Sequence, residues 1–237
     1  MSATELEINE LARSLNKSHS FLTSEEGIET KSGLRLKVYF DVADKIISHP
    51  DSKLTVVRSL AGMFWYSGIE VKHVAGVPRG MDTIVSTLAD RLNLSQLKVN
   101  PEAKNHGTGL QIEGDFAKGD KVALFEDVVT QGGSSINKGY LPLQSAGLKV
   151  VGFFALISRP YGGMEAIRKA IADPKIPVLA YCQDLVLLQS GIDQNLFHNN
   201  PENPTRRDLI EAEIARRIHL AFRTDSYSEN SFKEYFK

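Results

Sequence analysis

One segment, Lys121 to Ser135, constrains the fold of this chain more than any other. It begins with an apolar run, continues with the adjacent acids Glu126 and Asp127, and ends in a turn of hydroxyl residues and glycines. An apolar run rich in Val, Leu and Phe is typical of a strand that is buried on both faces, as in a parallel sheet. The segment therefore predicts an α/β domain in which a strand ends near Phe125 and a helix follows the turn.

The acids and the turn predict a site for a ligand that carries both hydroxyls and phosphate. Ligands of open α/β sheets bind at the carboxyl ends of strands, which is where Glu126 and Asp127 stand. The residues from Thr130 to Ser135 offer hydroxyls and backbone N–H groups at the start of a helix, a common anion site. A ribose 5-phosphate has vicinal hydroxyls for the carboxylates and a phosphate for the turn. An ordinary strand-to-helix turn with solvated acids is the alternative.

The rest of the chain alternates between strand-like and helix-like periodicity. Further strands are predicted at 31–41, 71–77, 97–99, 149–157 and 178–181, and helices at 4–17, 51–66, 81–92, 135–145, 163–172 and beyond 205. This βαβα order predicts a doubly wound, mainly parallel sheet flanked by helices. Thr4 is predicted to open a capping box, Asp51 to cap the second helix, and Thr205 with Asp208 to cap the last one. Pro142 predicts a kinked or short helix after the turn.

We predict one domain at residues 1–195 and a C-terminal helical extension at residues 196–237. The domain includes a small N-terminal hood over about residues 1–45. A loop at about 100–118 lacks periodicity and is rich in glycine. Loops of that length in a compact domain are usually functional or disordered.

Composition narrows the class of protein. The 237 residues are 42% hydrophobic and 24% charged, which is ordinary for a soluble domain, and the formal net charge of -1 argues against a nucleic-acid partner. Cys182 is the single cysteine and lies in an apolar run, so a packed thiol is expected rather than a catalytic one. No basic segment precedes an apolar stretch of signal or transmembrane length. These features predict a cytoplasmic protein without a membrane partner.

The segment from Glu126 to Ser134 resembles the phosphoribosyl diphosphate (PRPP) signature of type I phosphoribosyltransferases, an acidic pair followed by threonine and small residues. Gln131 departs mildly, since the family usually has a smaller residue there. The segment Gly76-Val-Pro-Arg79-Gly80 resembles the family turn that cups the diphosphate, and an arginine suits a phosphate. The PRPP-binding residues that this resemblance implies are Arg79, Glu126, Asp127, Thr130, Gln131, Gly132, Gly133 and Ser134.

Further segments resemble orotate phosphoribosyltransferases, and the resemblance spans most of residues 25–190. Lys31-Ser-Gly33 and Val38-Tyr-Phe-Asp41 are similar to the family's early segment, in which a lysine meets the anionic substrate and aromatic residues line the flat base. Arg159 follows a strand, as does the family arginine that we take to hold the orotate carboxylate. The orotate-binding residues that this resemblance implies are Lys31, Tyr39, Phe40, Thr130 and Arg159.

The segment Glu102-Ala-Lys104-Asn-His106-Gly107 is similar to the family's mobile catalytic loop, in which lysine and histidine serve the departing diphosphate. A cation beside a leaving group stabilises the transition state more than the ground state. The resemblance therefore implies Lys104, His106 and Asp127 as catalytic residues. The family usually has Arg-Lys directly before the glutamate, whereas this chain has Asn100-Pro101, so up to two cations are missing.

The resemblance implies an orotate phosphoribosyltransferase, which forms orotidine 5′-monophosphate and diphosphate from orotate and PRPP in de novo pyrimidine biosynthesis. It also implies Mg²⁺ as a cofactor, held mainly by substrate oxygens without a protein metal site. A homodimer with shared active sites is expected. Two alternatives stay open. One is a phosphoribosyltransferase for another base, because the signature recognises PRPP and not the base. The other is a non-catalytic PRPP-sensing regulator, which Asn100-Pro101 favours.

Overall fold

The computed structural model describes residues 3–30, 33–78, 80–101, 111–198 and 205–223, with the side chains of the last segment described through residue 217. The strands in chain order are β1 (Phe21–Glu29), β2 (Arg35–Phe40), β3 (His73–Gly76), β4 (Ser95–Val99), β5 (Ile112–Glu113), β6 (Lys121–Val129), β7 (Lys149–Ser158) and β8 (Val178–Gln183). Six of these described strands form one sheet in the order β5-β4-β3-β6-β7-β8. All neighbours in it are parallel except β5 against β4.

Helices cover both faces of this sheet. They are α1 (Glu5–Lys17), α2 (Val42–Lys45), α3 (Pro50–Ser67), α4 (Asp82–Leu92), α5 (Leu141–Ser145), α6 (Gly163–Ile171), α7 (Asp184–Asp193) and α8 (Arg207–Arg223). A 3₁₀ turn at Ile46–Ser48 follows α2, and a π-helical turn at Ser135–Tyr140 leads into α5. The predicted doubly wound, mainly parallel α/β fold is confirmed.

Apolar side chains on alternate positions of β6 and β7 form the two halves of the core. Phe125 and Phe154 stack with ring centroids 5.2 Å apart, and Phe64 of α3 packs edge-on against Phe154. On the other face, Leu124 and Phe153 belong to a cluster that includes residues of α5 and α6. Burial on both faces explains why these strands are apolar almost throughout.

The antiparallel pair β1 and β2 forms a separate two-stranded sheet, the hood. Leu36, Val38 and Phe40 alternate into the interior, as their spacing predicts. The C-terminal helix docks on this hood, since Thr205 Oγ1 donates to the carbonyl of Phe21. Thr205 is also the residue predicted, with Asp208, to cap the last helix, and that role stays a prediction.

Local boundaries differ from prediction at three places. The strand that carries the acids was predicted to end near Phe125, but β6 runs to Val129, because its neighbour β7 is long enough to pair with it there. Asp51 does not cap α3, which begins one residue earlier with Pro50 in its first turn, a position that tolerates proline. The helix after the turn is short, as Pro142 predicts, since α5 has 5 residues with Pro142 in its first turn. The helix α7 was not predicted.

The capping box at the start of α1 is present as predicted, with Thr4 and Glu7 bonded in both directions. Among the described residues, the structure contains no helix with the length and apolar character that a membrane crossing requires.

Candidate active site

The sheet opens a crevice between β3 and β6. Along the chain, β4 lies on one side of β3 and β6 on the other, so the winding direction reverses between them. β3 ends with Gly76 paired to Phe125, whereas β6 continues alongside β7 until Val129 pairs with Ser158. Among the described strands, none pairs with this edge of β6 beyond Phe125. Such a reversal point is where open α/β sheets bind ligands.

The two acids of β6 stand at this crevice and have different surroundings. Glu126 is buried, and its Oε2 accepts a 2.9 Å hydrogen bond from Ser135 Oγ. Asp127 is partly exposed, and its Oδ1 accepts a 2.8 Å hydrogen bond from the N–H of Val128. Burial raises the pKa of Asp127, and the hydrogen bond donated by the backbone N–H of Val128 opposes that rise. Of the two acids, Asp127 is therefore the one whose carboxylate can accept hydrogen bonds from the hydroxyl groups of a ligand.

The turn after β3 lies against Asp127 from the opposite side. A Cβ atom at Gly80 would come within 2.7 Å of the Ala43 Cβ atom and 3.9 Å of Asp127 Oδ2. The backbone at Gly80 therefore passes close to Ala43 of α2 and to Asp127. A larger residue at this position would push these two residues away from the turn.

The turn after β6 is held tightly at one side and open at the other. Gly132 has a φ of 77°, and a Cβ atom at Gly163 would lie 2.5 Å from the carbonyl oxygen of Thr130. The turn is thereby packed against the start of α6. At Gly133 a Cβ atom would meet nothing within 4 Å, and Gln131 is exposed. The open side offers backbone and hydroxyl groups to an anion at the start of a helical segment.

Arg159 supplies a buried cation at the end of β7. Its guanidinium carbon lies 5.0 Å from the ring centroid of Phe40 and 5.8 Å from that of Tyr39, and Nη2 donates to the Val38 carbonyl at 3.4 Å. Burial lowers the pKa of Arg159, while Asp184 raises it. Among the described residues, Nε and Nη1 have no hydrogen-bond partner. A cation with free donors beside aromatic rings suits a flat anionic ligand.

Tyr39 connects the two halves of the site. Burial raises the pKa of its phenol, and Asp127 and Asp41 raise it further, whereas Arg159 lowers it. The hood therefore brings this phenol within electrostatic reach of both the acid of β6 and the arginine of β7. One cleft contains the acid, the turn, the aromatic pair and the cation.

Comparison with known proteins connects this cleft to a family. No family model matches the chain. The orotate phosphoribosyltransferase of Pyrococcus furiosus is 36% identical over 138 residues, which cover 58% of this chain and 75% of that relative. The chain belongs to the orotate phosphoribosyltransferase family.

Two solved structures have a similar fold. The crystal structure of the orotate phosphoribosyltransferase from Aeropyrum pernix is similar with a TM-score of 0.60 and 26% identity, covering 76% of this chain and 97% of that one. Leishmania donovani UMP synthase shares the fold with a TM-score of 0.70 at 22% identity, covering 88% of this chain and 42% of that longer protein.

For this member of the orotate phosphoribosyltransferase family, the structure gathers most of the predicted residues that it describes into the cleft. Tyr39, Phe40 and Arg159 lie on one side of it, and Asp127 with the turn lies on the other. Four predicted site residues lie outside the described residues, namely Lys31, Arg79, Lys104 and His106.

The stem of the predicted catalytic loop explains one departure from the family. The N–H of Asn100 donates to the carbonyl of Gln111 at 2.8 Å, and its side-chain amide donates to Glu113 Oε1 at 3.0 Å. Val99 pairs with Ile112 beside them. Asn100 therefore connects the two ends of the loop through its hydrogen bonds. From the sequence, Asn100 was interpreted only as the loss of a cation, and its structural role was missed.

Sequence reasoning missed two buried charged residues near Arg159. Asp184 comes directly after β8, in the same way that Glu126 and Asp127 come after the apolar part of β6. The expectation that ligands bind at the carboxyl ends of strands could therefore have identified it. Arg217 of α8 carries no local signal beyond its spacing of four from Glu213. Cys182 is buried as predicted, and burial raises the pKa of its thiol far above the ordinary value, so it is a packed residue.

Proposed function

We propose that this chain is an orotate phosphoribosyltransferase that transfers the 5-phosphoribosyl group of PRPP to orotate, with release of diphosphate and formation of orotidine 5′-monophosphate. The observation that carries the proposal is the placement of Arg159. Its guanidinium group lies beside Phe40 and Tyr39, within electrostatic reach of the site that contains Asp127, and among the described residues its Nε and Nη1 have no hydrogen-bond partner. Identity of 36% to a named relative supports the same reaction, which belongs to pyrimidine biosynthesis.

Each side of the cleft has a role in this reaction. Tyr39 and Phe40 cover the flat base, and Arg159 binds the orotate carboxylate. Asp127 accepts hydrogen bonds from the ribose hydroxyls, and the turn binds the 5′-phosphate with Thr130, Gln131, Gly132, Gly133 and Ser134. Holding both reactants in one geometry lowers the entropic part of the barrier.

The leaving diphosphate needs cations because charge develops on it as the bond to C1′ breaks. In our proposal Lys104, His106 and Arg79 supply them, on the strength of their resemblance to the family loop and turn. Asn100, bonded to Gln111 and Glu113, keeps the ends of that loop together.

We include Mg²⁺ as a cofactor that arrives with the substrate. Among the described residues, no three His, Cys, Asp or Glu side chains converge on one point that could hold a metal ion. The ion prefers oxygen ligands, and PRPP offers diphosphate and hydroxyl oxygens next to the partly exposed carboxylate of Asp127. Bound there, Mg²⁺ would neutralise diphosphate charge. A homodimer with shared sites and a cytoplasmic location are further parts of the proposal.

One assay tests the proposal. The protein is mixed with PRPP, Mg²⁺ and orotate, and loss of orotate is followed by absorbance. Orotate should be consumed, while hypoxanthine, uracil and nicotinate should not, because these bases do not place a carboxylate against Arg159 as orotate does. Consumption of another base instead of orotate would indicate a different phosphoribosyltransferase. PRPP binding by calorimetry without consumption of any base would indicate a regulator.

A further inference from the structure

A buried carboxylate lies between two arginines at the base side of the cleft. Asp184, the first residue of α7, is fully buried, and its Oδ2 accepts a hydrogen bond from Arg217 Nη1. The same Oδ2 lies 3.9 Å from Nε of Arg159, too far for a hydrogen bond. Asp184 thus forms a hydrogen-bonded ion pair with Arg217 and a longer ion pair, without a hydrogen bond, with Arg159.

Arg217 is held in this position from its own side. Its Nε donates to Glu213 Oε1 at 2.6 Å, and its guanidinium carbon lies 5.8 Å from the ring centroid of Tyr161. Both Arg217 and Glu213 are buried, with side chains 4% and 2% exposed. The packing of α8 therefore determines which arginine forms a hydrogen bond to the Asp184 carboxylate.

Loss of Arg217 would remove the hydrogen-bond partner of Asp184 but not that of Glu213. Glu213 also accepts hydrogen bonds from Nε and Nη2 of Arg216, at 2.7 Å each. Asp184 is fully buried, and among the described residues its Oδ1 has no hydrogen-bond partner. A buried carboxylate that loses its partner is strongly unfavourable, so Asp184 would turn to the nearest remaining donor, which is Arg159 Nε.

We propose that Arg217 is a positioning residue for orotate: by engaging Asp184 it keeps the Nε and Nη1 donors of Arg159 available to the substrate carboxylate. The C-terminal helix thereby determines the affinity for orotate without contacting it. This inference rests on the proposed function, because it needs orotate to bind at Arg159.

The test compares Arg217→Met with Arg216→Met in the full chain. Arg216 is the neighbouring residue of α8 and also donates to Glu213, at 2.7 Å, but it has no bond to Asp184. Michaelis constants for orotate and PRPP are measured together with thermal unfolding. Arg217→Met should raise the orotate KM about tenfold or more and leave the PRPP KM within about twofold, whereas Arg216→Met should leave both within about twofold.

A second variant separates positioning from simple loss of stability. Arg217→Met with Asp184→Asn removes the carboxylate that would compete for Arg159, and replacing both members of a buried pair is often tolerated. The orotate KM of this double variant should return to within about threefold of the wild-type value. If Arg217→Met alone does not fold, the orotate KM of the double variant is still compared with the wild-type value.

Two results overturn the inference while leaving the proposed function intact. One is an Arg217→Met protein whose orotate and PRPP constants change equally or not at all. The other is a double variant whose orotate KM stays as high as that of Arg217→Met. Failure of the wild-type protein to consume orotate would overturn the proposed function, and the inference with it.

Discussion

Ser135 Oγ donates a 2.9 Å hydrogen bond to Oε2 of Glu126, which fixes the helical segment after the turn at residues 130–134 to the strand that carries the acidic pair. Glu126 is buried, whereas its neighbour Asp127 is partly exposed. The two acids therefore differ in access to a ligand, and Asp127 is the better target for mutation.

Asp127→Asn should weaken PRPP binding and slow turnover. The substitution keeps the shape of the side chain but removes the charge that strengthens hydrogen bonds from the ribose hydroxyls, worth about 1.5–3 kcal/mol for each bond. Calorimetry should show an increase of about tenfold or more in the PRPP dissociation constant. Asp173→Asn, in an exposed turn, is the control and should have no effect. Unchanged PRPP binding by Asp127→Asn would remove Asp127 from the site.

The pH dependence of the protein's stability should include a contribution from the titration of Asp127. Because burial raises its pKa above the ordinary value of 3.8, the native state holds this proton more tightly than the unfolded state. Its contribution to stability is present below the unfolded pKa and is lost as pH rises through the native pKa. The Tm of Asp127→Asn minus that of the wild type should therefore grow across this window and then level off. Calorimetric scans from pH 4 to pH 8, a range of about four units, measure it; a difference that shrinks with pH would contradict the prediction.

Arg159→Ala should raise the KM for orotate about tenfold or more, with a far smaller change for PRPP. It removes charged hydrogen bonds to the substrate carboxylate, while Asp184 keeps its bond to Arg217. Arg58→Ala, an exposed arginine of α3, is the control. Steady-state kinetics with each substrate varied in turn provides the measurement. Equal changes in both constants would point to general destabilisation instead.

Gly163→Ala should displace the turn to which we assign the 5′-phosphate. The new Cβ atom would lie 2.5 Å from the carbonyl oxygen of Thr130, and overpacking of this kind costs about 1–3 kcal/mol. We expect a lower Tm and a raised KM for PRPP. Gly62→Ala is the matched control, because a Cβ atom there meets nothing within 4 Å in the middle of α3. If the two variants unfold at the same temperature, the contact at Gly163 does not constrain the turn.

Lys104→Ala should lower kcat more than it changes PRPP binding, since a contact made when the loop closes stabilises mainly the transition state. If subunits share sites, mixing Lys104→Ala with Asp127→Asn should restore part of the activity, because some dimers then contain one site with both residues intact. Kinetic assays before and after verified subunit exchange provide the measurement. No recovery after exchange would refute shared sites.

Local patterns in the sequence were sufficient for the elements and for much of the site. The capping box at Thr4 depends on residues three apart, and the alternation of Leu36, Val38 and Phe40 depends on residues two apart. The acids and the turn of the PRPP signature are neighbours along the chain, so their common location follows from one strand and one helix. Such features are readable because their partners lie within a few residues.

The tertiary structure alone decided how far β6 extends and which charges surround Arg159. The length of β6 depends on its pairing with β7, and the stem that Asn100 closes depends on Glu113 across the loop. The bond from Arg217 to Asp184 joins residues 33 positions apart, and that from Arg159 to Val38 joins residues 121 apart. No local periodicity encodes such contacts, because each depends on packing that brings distant segments together. The sequence therefore singled out Arg159 as a strand-end cation, and only the packing of α8 determined that Asp184 accepts a hydrogen bond from Arg217 rather than from Arg159.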